Sequence, residues 1–440
     1  MLNIEWASVS SSQEVVETIV LAVRRGELGE GSPLPSIREI ARLSGLSPGT
    51  VGLAFRILRE RGVIFTSHGK RARISNRPVQ HRAFEMRIPA GAVNLAVTGP
   101  DPKLLPDVNW LLSAGLFRPT LYDQPHVDGE LGAALTDGFT RDGIHGELTI
   151  TNGALDALER LLLSCVRPGA NVVVEDPSWG MALNLLNLHR FNLVGVPVDD
   201  YGLIPEALAD ALSTGQVALV LLTPRGQNPY GSAMSAERTA LLSDLLSRHP
   251  DVIVVEDDHA ALISDAPATT LTAGRDRFAV IRSLNKTLGP DLRLAAMMSD
   301  PVTADDVQRR QLLGPGWVSH FTQRLAARLL TDSTTLNGVR RAEEEYSARR
   351  KALLAALDQH HIAAHGRSGL NVAIPVPDET TVVSDLLISG WAVRGGADFR
   401  LRSPPFIRVC TAQLPQQRAP DLATSIALAL RGRRSSSLAP

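Results

Sequence analysis

The chain of 440 residues carries only two cysteines, Cys165 and Cys410, and 4% aromatic side chains. Two cysteines build no disulfide framework, so a small stapled secreted scaffold is excluded and a reduced, cytoplasmic setting is the default expectation. Long apolar runs are also missing. The longest, such as Val217–Leu222, are too short to cross a bilayer, so no membrane partner is expected. The opening Met-Leu-Asn-Ile-Glu-Trp lacks a basic region followed by an apolar run, so no secretory leader is expected. What remains is an ordinary globular composition, 44% apolar and 21% charged, with length for two or three domains around a large core.

The net charge of −1 conceals an asymmetry. Residues 1–82 hold 12 basic and seven acidic side chains, whereas the rest holds 33 basic and 39 acidic. A positive end on a slightly negative body points to a polyanion partner for that end. Its pattern agrees. Val15, Val16, Ile19, Val20 and Val23 have helical spacing within 13–25. Ser36-Ile37-Arg38-Glu39 is a capping box that starts a short helix to about Leu43. Gly45 allows a sharp turn, and Ser47-Pro48 starts a third helix over 48–61. Two short apolar pieces, 63–65 and 72–74, flank Ser67-His68-Gly69-Lys70-Arg71 and predict a hairpin with a basic tip. Helices joined by a glycine turn and followed by a basic hairpin describe a winged helix-turn-helix; a protein-docking module with a charged face is the alternative.

Residues 77–91 have prolines and no clean period and predict a short linker. From Val93 on, apolar runs at 148–151, 172–175, 217–222, 252–255 and 279–281 alternate with amphipathic helices. That alternation predicts a mainly parallel sheet covered by helices, with ligands at the carboxyl ends of its strands. Candidate chemistry falls at those ends. Lys286 follows the run 279–281, with Ser283 before it and Arg293 after it. A partly desolvated lysine attacks aldehydes as the free amine, and a hydroxyl beside a guanidinium suits a phosphate. An aldehyde and a phosphate on one small molecule describe pyridoxal phosphate. An ordinary surface lysine, or the Ser-x-x-Lys of penicillin-recognising enzymes, are the other readings; no Lys-Thr-Gly follows for the latter.

Other strand ends add to this. Asn152-Gly153-Ala154 opens a helix whose free N–H groups suit a phosphate, or form a plain cap. Trp179 can lie on a pyridine ring or belong to the core. Asn228 can donate to a phenolate oxygen or sit in a simple turn. Asp257 can keep a pyridine nitrogen protonated or be a solvated strand end. Arg408, in a late apolar strand, needs an anion: a ligand carboxylate or an internal ion pair.

Two resemblances join these pieces. Residues 13–76 resemble the reading head of GntR-type bacterial regulators, through Leu34-Pro35-Ser36-Ile37-Arg38-Glu39, Leu46-Ser47-Pro48-Gly49-Thr50-Val51 and Leu58-Arg59-Glu60-Arg61-Gly62. That resemblance implies double-stranded DNA as partner, met by Arg38, Ser47, Gly49, Thr50, Gly69, Lys70 and Arg71. Gly52 and Leu53 stand where many relatives carry basic residues. Residues 92–432 resemble the fold type I aminotransferases, which implies pyridoxal phosphate as cofactor with Lys286 as its Schiff-base lysine. The implied phosphate group is Asn152, Gly153, Ala154, Ser283 and Arg293, with Tyr122 reaching the neighbouring subunit's phosphate. Trp179 is the implied stacking aromatic, Asn228 the phenolate partner, Asp257 the pyridine-nitrogen partner and Arg408 the carboxylate clamp. His259 stands where relatives carry a phenolate-bonding tyrosine, and Leu155 where a glutamine is usual.

Head and body together resemble the MocR class of transcription regulators. The expected fold is α/β: a winged helix-turn-helix over 1–76, a linker over 77–91, an aminotransferase-like domain with a smaller C-terminal α/β subdomain over 92–432, and a disordered tail over 433–440. The resemblance implies a homodimer that senses pyridoxal phosphate or an amino compound. Two alternatives stand beside it: a working aminotransferase carrying a DNA-binding module, and a regulator with a vestigial, empty site. The basic head and His259 favour sensing. No metal site is expected.

Overall fold

The computed structural model of the chain describes residues 6–24, 27–29, 31–60, 63–65, 71–74, 88–112 and 120–431. The head is built from α1 (Ser12–Arg24), α2 (Ile37–Ser44) and α3 (Pro48–Glu60) with an antiparallel pair, β1 (Ile64–Phe65) and β2 (Arg73–Ile74). Local chemistry sets these bounds. The Ser36 hydroxyl accepts the Glu39 N–H at 3.2 Å while Glu39 accepts the Ser36 N–H at 3.4 Å, closing the expected capping box. Gly45, at φ +74°, ends α2 in the left-handed region. Ser47 accepts the Thr50 N–H at 3.1 Å and so caps α3. Ile19, Leu34, Ile40, Val51, Leu58 and Ile74 close one apolar core that shares no residue with the rest of the chain. The wing tip, with Gly69 and Lys70, the segment 75–87 and the tail from 432 lie outside the described residues.

The body opens with Val93–Asn94 (β3). Its large sheet contains β4 (Glu147–Thr151), β5 (Asn171–Asp176), β6 (Asn192–Asp199), β7 (Gly202–Leu203), β8 (Val217–Leu222), β9 (Ile253–Asp257), β10 (Phe278–Ser283) and β11 (Ala295–Ser299). The spatial order is β4-β11-β10-β9-β8-β5-β6-β7. From β10 through β6 every pair is parallel. Val172, Val174, Leu219 and Leu221 enter one apolar cluster, while Val173, Val220 and Leu222 enter another. Helices therefore cover both faces, which explains why these strands read as unbroken apolar runs.

Two features add to the expected, mainly parallel sheet. The long strand β6 lies where no apolar run stood out, and β11 runs antiparallel to both β10 and β4. The reversal has a geometric result: Ala295, the first residue of β11, pairs with Thr151 at the end of β4 and with Ser283 at the end of β10. The smaller subdomain pairs β12 (Asn371–Pro375) with β15 (Phe406–Cys410), and β15 with β14 (Arg394–Gly395), all antiparallel. β13 (Trp391–Ala392) pairs in parallel with β3. Helices Ser333–Gln359, Glu379–Ile388 and Ala419–Arg431 pack around this second sheet.

Candidate functional site

A cavity of about 1000 Å³ lies at the carboxyl ends of β5, β9 and β10, closed on its far side by β14 and β15. Trp179, Asn228, Asp257 and His259 line it. So do Ala154, Ser283, Lys286, Arg293 and Arg408. Sequence reasoning placed these residues at separate strand ends, and the fold brings them to one site.

Lys286 lies in the turn after β10. Burial pushes its ammonium down to about 8; Asp257 and Cys410 pull it back up, and Arg408 adds to the lowering. At pH 7 about a tenth of such amines are unprotonated, against roughly one in 3,000 at the ordinary value of 10.5. Asp257 ends β9, with Oδ2 3.5 Å from His259 Nδ1. Its Oδ1 is buried and has no hydrogen-bond partner among the described residues. A buried, unsatisfied carboxylate oxygen is costly and calls for a donor. A protonated pyridine nitrogen supplies one.

The anion end also fits a phosphate. Gly153 precedes the helix Ala154–Cys165 and offers no side-chain cap, which leaves first-turn N–H groups without an internal partner. At φ +101° only glycine sits easily, and a Cβ there would lie 2.8 Å from Arg293 Nη2. The bare backbone lets the exposed Arg293 fold over the helix start, where Nη2 reaches the Asn152 carbonyl at 3.5 Å. Asn152 and Gly153 stand behind this edge and do not themselves line the cavity. The Asn152 N–H is taken by Asp156 at 2.9 Å.

Arg408, 3% exposed on β15, donates to the Thr98 hydroxyl and the Ala96 carbonyl, and to Asn228 Oδ1 at 3.4 Å. Its Nε is buried without a partner among the described residues, and desolvation pushes its pKa down to about 10. A carboxylate ligand would relieve both penalties. Tyr122 does not reach this cavity: it is 90% exposed, with its ring edge-on to Trp317 at 5.7 Å.

Sequence reasoning missed the scaffold under the site. Asp258 accepts Arg225 Nε at 2.8 Å and Arg282 Nε at 2.9 Å, and Arg282 also holds Asp142 at 2.5 Å. These buried charges lock together the chain after β8, the end of β9 and the end of β10. Removing one partner of such a cluster costs about 3–5 kcal/mol. It also missed Arg394 and Asp398 in the cavity wall, for which no local pattern gives a signal. In the head, Arg38, Ser47, Gly49 and Arg71 are exposed and Thr50 is half-buried. Arg71 stands 3.9 Å from Glu39. Leu53 is 43% exposed, an apolar residue on the outward side of α3.

Comparison with known proteins agrees with this division. Residues 120–426 match the family of aminotransferases of class I and II. Residues 11–74 match the bacterial regulatory proteins of the gntR family. The vitamin B6 salvage pathway transcriptional repressor PtsJ of Salmonella typhimurium is 36% identical over 96% of this chain and 98% of its own length. The pyridoxine biosynthesis transcriptional regulator PdxR of Corynebacterium glutamicum is 29% identical over 56% of this chain and 55% of its own. An archaeal alanine:glyoxylate aminotransferase superposes with a TM-score of 0.71 at 22% identity, over 78% of this chain and 91% of its own. Fold and site thus define a class I and II aminotransferase body. With its GntR head, the chain belongs to the MocR-type regulators.

Proposed function

We propose that the chain is a pyridoxal phosphate-responsive transcription regulator that binds double-stranded DNA through its head. The observation that carries this is the pairing, in one cavity, of an amine lowered to about 8 with a buried carboxylate oxygen that lacks a partner among the described residues, in a chain that also carries a helix-turn-helix. Bound pyridoxal phosphate would supply an aldehyde that a primary amine captures and a ring that stores electrons. Lys286 would bond that aldehyde, Asp257 would hold a proton on the ring nitrogen, and Trp179 would stack on the ring. Asn228 would bond the phenolate oxygen. His259, held against Asp257, would orient that carboxylate and lend the ring a weaker partner than a phenol. Ala154, Ser283 and Arg293 would hold the phosphate, with Asn152 and Gly153 shaping the edge behind them. Arg408 would take the carboxylate of an amino-compound effector.

In this reading Arg38, Ser47, Gly49, Thr50 and Arg71 meet DNA, with Gly69 and Lys70 at the wing. Two heads on one operator require a homodimer, and Tyr122, standing clear of its own cavity, is free to serve the other copy's phosphate. The cytoplasm is the matching compartment. We take the domain bounds to be 1–76, 77–91 and 92–432, with a tail over 433–440. A working aminotransferase carrying a DNA-binding head is the second reading, favoured by the Arg408 Nε that lacks a partner among the described residues; steady turnover of a keto acid acceptor would select it. The deciding experiment is a footprint on the DNA upstream of the chain's own gene, with and without pyridoxal phosphate and candidate amines. Protection that changes with the cofactor is expected. Protection indifferent to all of them would sink the sensor reading.

A further inference from the structure

Head and body are joined by an ion cluster drawn from opposite ends of the sequence. Glu17 stands on α1 between Gln13 and Leu21, a face separate from the head's core. Leu21 is nonetheless buried, so that face is covered. Gln13 Nε2 donates to Glu17 Oε1 at 3.3 Å, and Arg400 Nη2 lies 3.7 Å from Glu17 Oε2. Arg400 also donates through Nε to Glu379 Oε1 at 2.9 Å. One guanidinium thus serves a carboxylate of the head and a carboxylate of the body.

The same turn reaches the cavity at its other end. Asp398, two residues before Arg400, holds Arg394 Nη2 at 2.5 Å, and both side chains line the cavity. Arg394 is the cross-strand partner of Arg408, so two guanidiniums stand side by side in the wall. The chain between cavity and head has little slack. The Phe399 carbonyl accepts the Ser178 N–H at 2.7 Å. The Asp176 carboxylate accepts the N–H groups of Leu401, Arg402 and Ser403 at 2.8, 2.7 and 3.1 Å. The backbone of Gly180 presses on Asp398, whose carbonyl oxygen would lie 2.4 Å from a Cβ there. The backbone from Asp398 to Ser403 is thus held in place, and what can change between Asp398 and Arg400 is which side chains they pair with.

We propose that the turn Gly395 to Arg402 is a clasp through which the cavity controls the head, and that its trigger is a dicarboxylate ligand bridging Arg408 and Arg394. Such a ligand draws Arg394 from Asp398. The Asp398 carboxylate then competes with Glu17 for Arg400, and the head is released. The proposal rests on reading the cavity as the ligand site and adds the ligand's class and the route of its signal. A ligand without the second carboxylate leaves Arg394 on Asp398 and does not differ in affinity between held and released states, so it moves nothing.

The test uses the full chain, with succinate as probe, and carbodiimide labelling of Glu17 at pH 7, read by mass spectrometry against Glu14 on the same helix. In the wild type, labelling of Glu17 rises several-fold with succinate. In Asp398→Asn it stays low at every succinate concentration. In Arg394→Gln it is high without succinate and does not respond. No rise in the wild type, an equal rise in Asp398→Asn, or a wild-type level in Arg394→Gln would each overturn the clasp. The visible band of bound pyridoxal phosphate is recorded in every sample. Its absence from the wild type would refute the cofactor reading, while the labelling pattern still judges the clasp.

Discussion

The head and the cofactor cavity use charge in opposite ways. In the head the cations proposed to meet DNA, Arg38 and Arg71, stand in water outside a private apolar core. In the body Lys286 and Arg408 are stripped of water, and both are displaced downward, to about 8 and about 10. A solvated cation attracts any phosphate and its effect is screened by salt. A desolvated one discriminates, because its environment is costly until the right partner arrives. The two halves therefore answer different perturbations, and each can be disturbed while the other is watched.

The largest contrast comes from Lys286→Ala. It is expected to abolish the visible band of bound pyridoxal phosphate while leaving DNA retardation in the absence of cofactor unchanged; a surviving band would place the reactive amine elsewhere. Next, Leu58→Ala empties a fully buried position in the head core and should cost the head about 2–5 kcal/mol. Calorimetry should show an early transition for the head, with the cofactor band melting at its usual temperature. A single shifted transition would mean that head and body unfold together.

A third prediction probes the junction. Burial, and after it Glu379, push the Glu17 carboxyl up to about 7, against the pull of Arg400 and of the Gln13 hydrogen bond, with Asp398 adding a smaller upward push. A raised carboxyl favours the folded state below its unfolded value of 4.5, and this contribution fades as pH rises through about 7. Glu17→Gln does not titrate. Its stability relative to the wild type should grow between pH 5 and 7.5, by about 2 kcal/mol at 1.36 kcal/mol per unit. Equal pH profiles for the two proteins would show that Glu17 is solvated. The smallest effect belongs to Arg38→Ala, expected to lower DNA affinity and reduce the salt slope by about 1, with the cofactor band untouched. An unchanged slope would move the DNA face away from α2.

Much of the fold was legible where a local rule applies. Ser36, Glu39, Gly45 and Ser47 mark the head's helix ends because capping is decided within a few residues. β5, β8 and β9 announce themselves because both their faces are buried. β6 escaped because Gly195 and Pro197 break its apolar residues, so Val194, Val196 and Val198 form an alternation on one face and no unbroken run. The direction of β11 escaped because Ala295-Ala296-Met297-Met298-Ser299 carries no mark of which way it runs. At the site, Lys286 and Asp257 drew notice because each follows an apolar strand run, and Arg408 because it sits inside one. Arg394, Asp398, Arg400 and Glu17 did not, since each looks like an ordinary charged residue until the fold joins the two ends of the chain.

The reversed strand β11 sets a limit on how this chain can be altered. Because it starts where two neighbours finish, Arg293 is delivered by the connection 284–294 and needs no crossover helix. One extra residue inserted between Arg293 and Ala295 would move the guanidinium off the position that the register of β11 fixes. Lengthening the connections between helices and strands elsewhere in the body leaves that alignment intact. Loop grafts in this body are best kept out of 284–294 and placed on the outer connections.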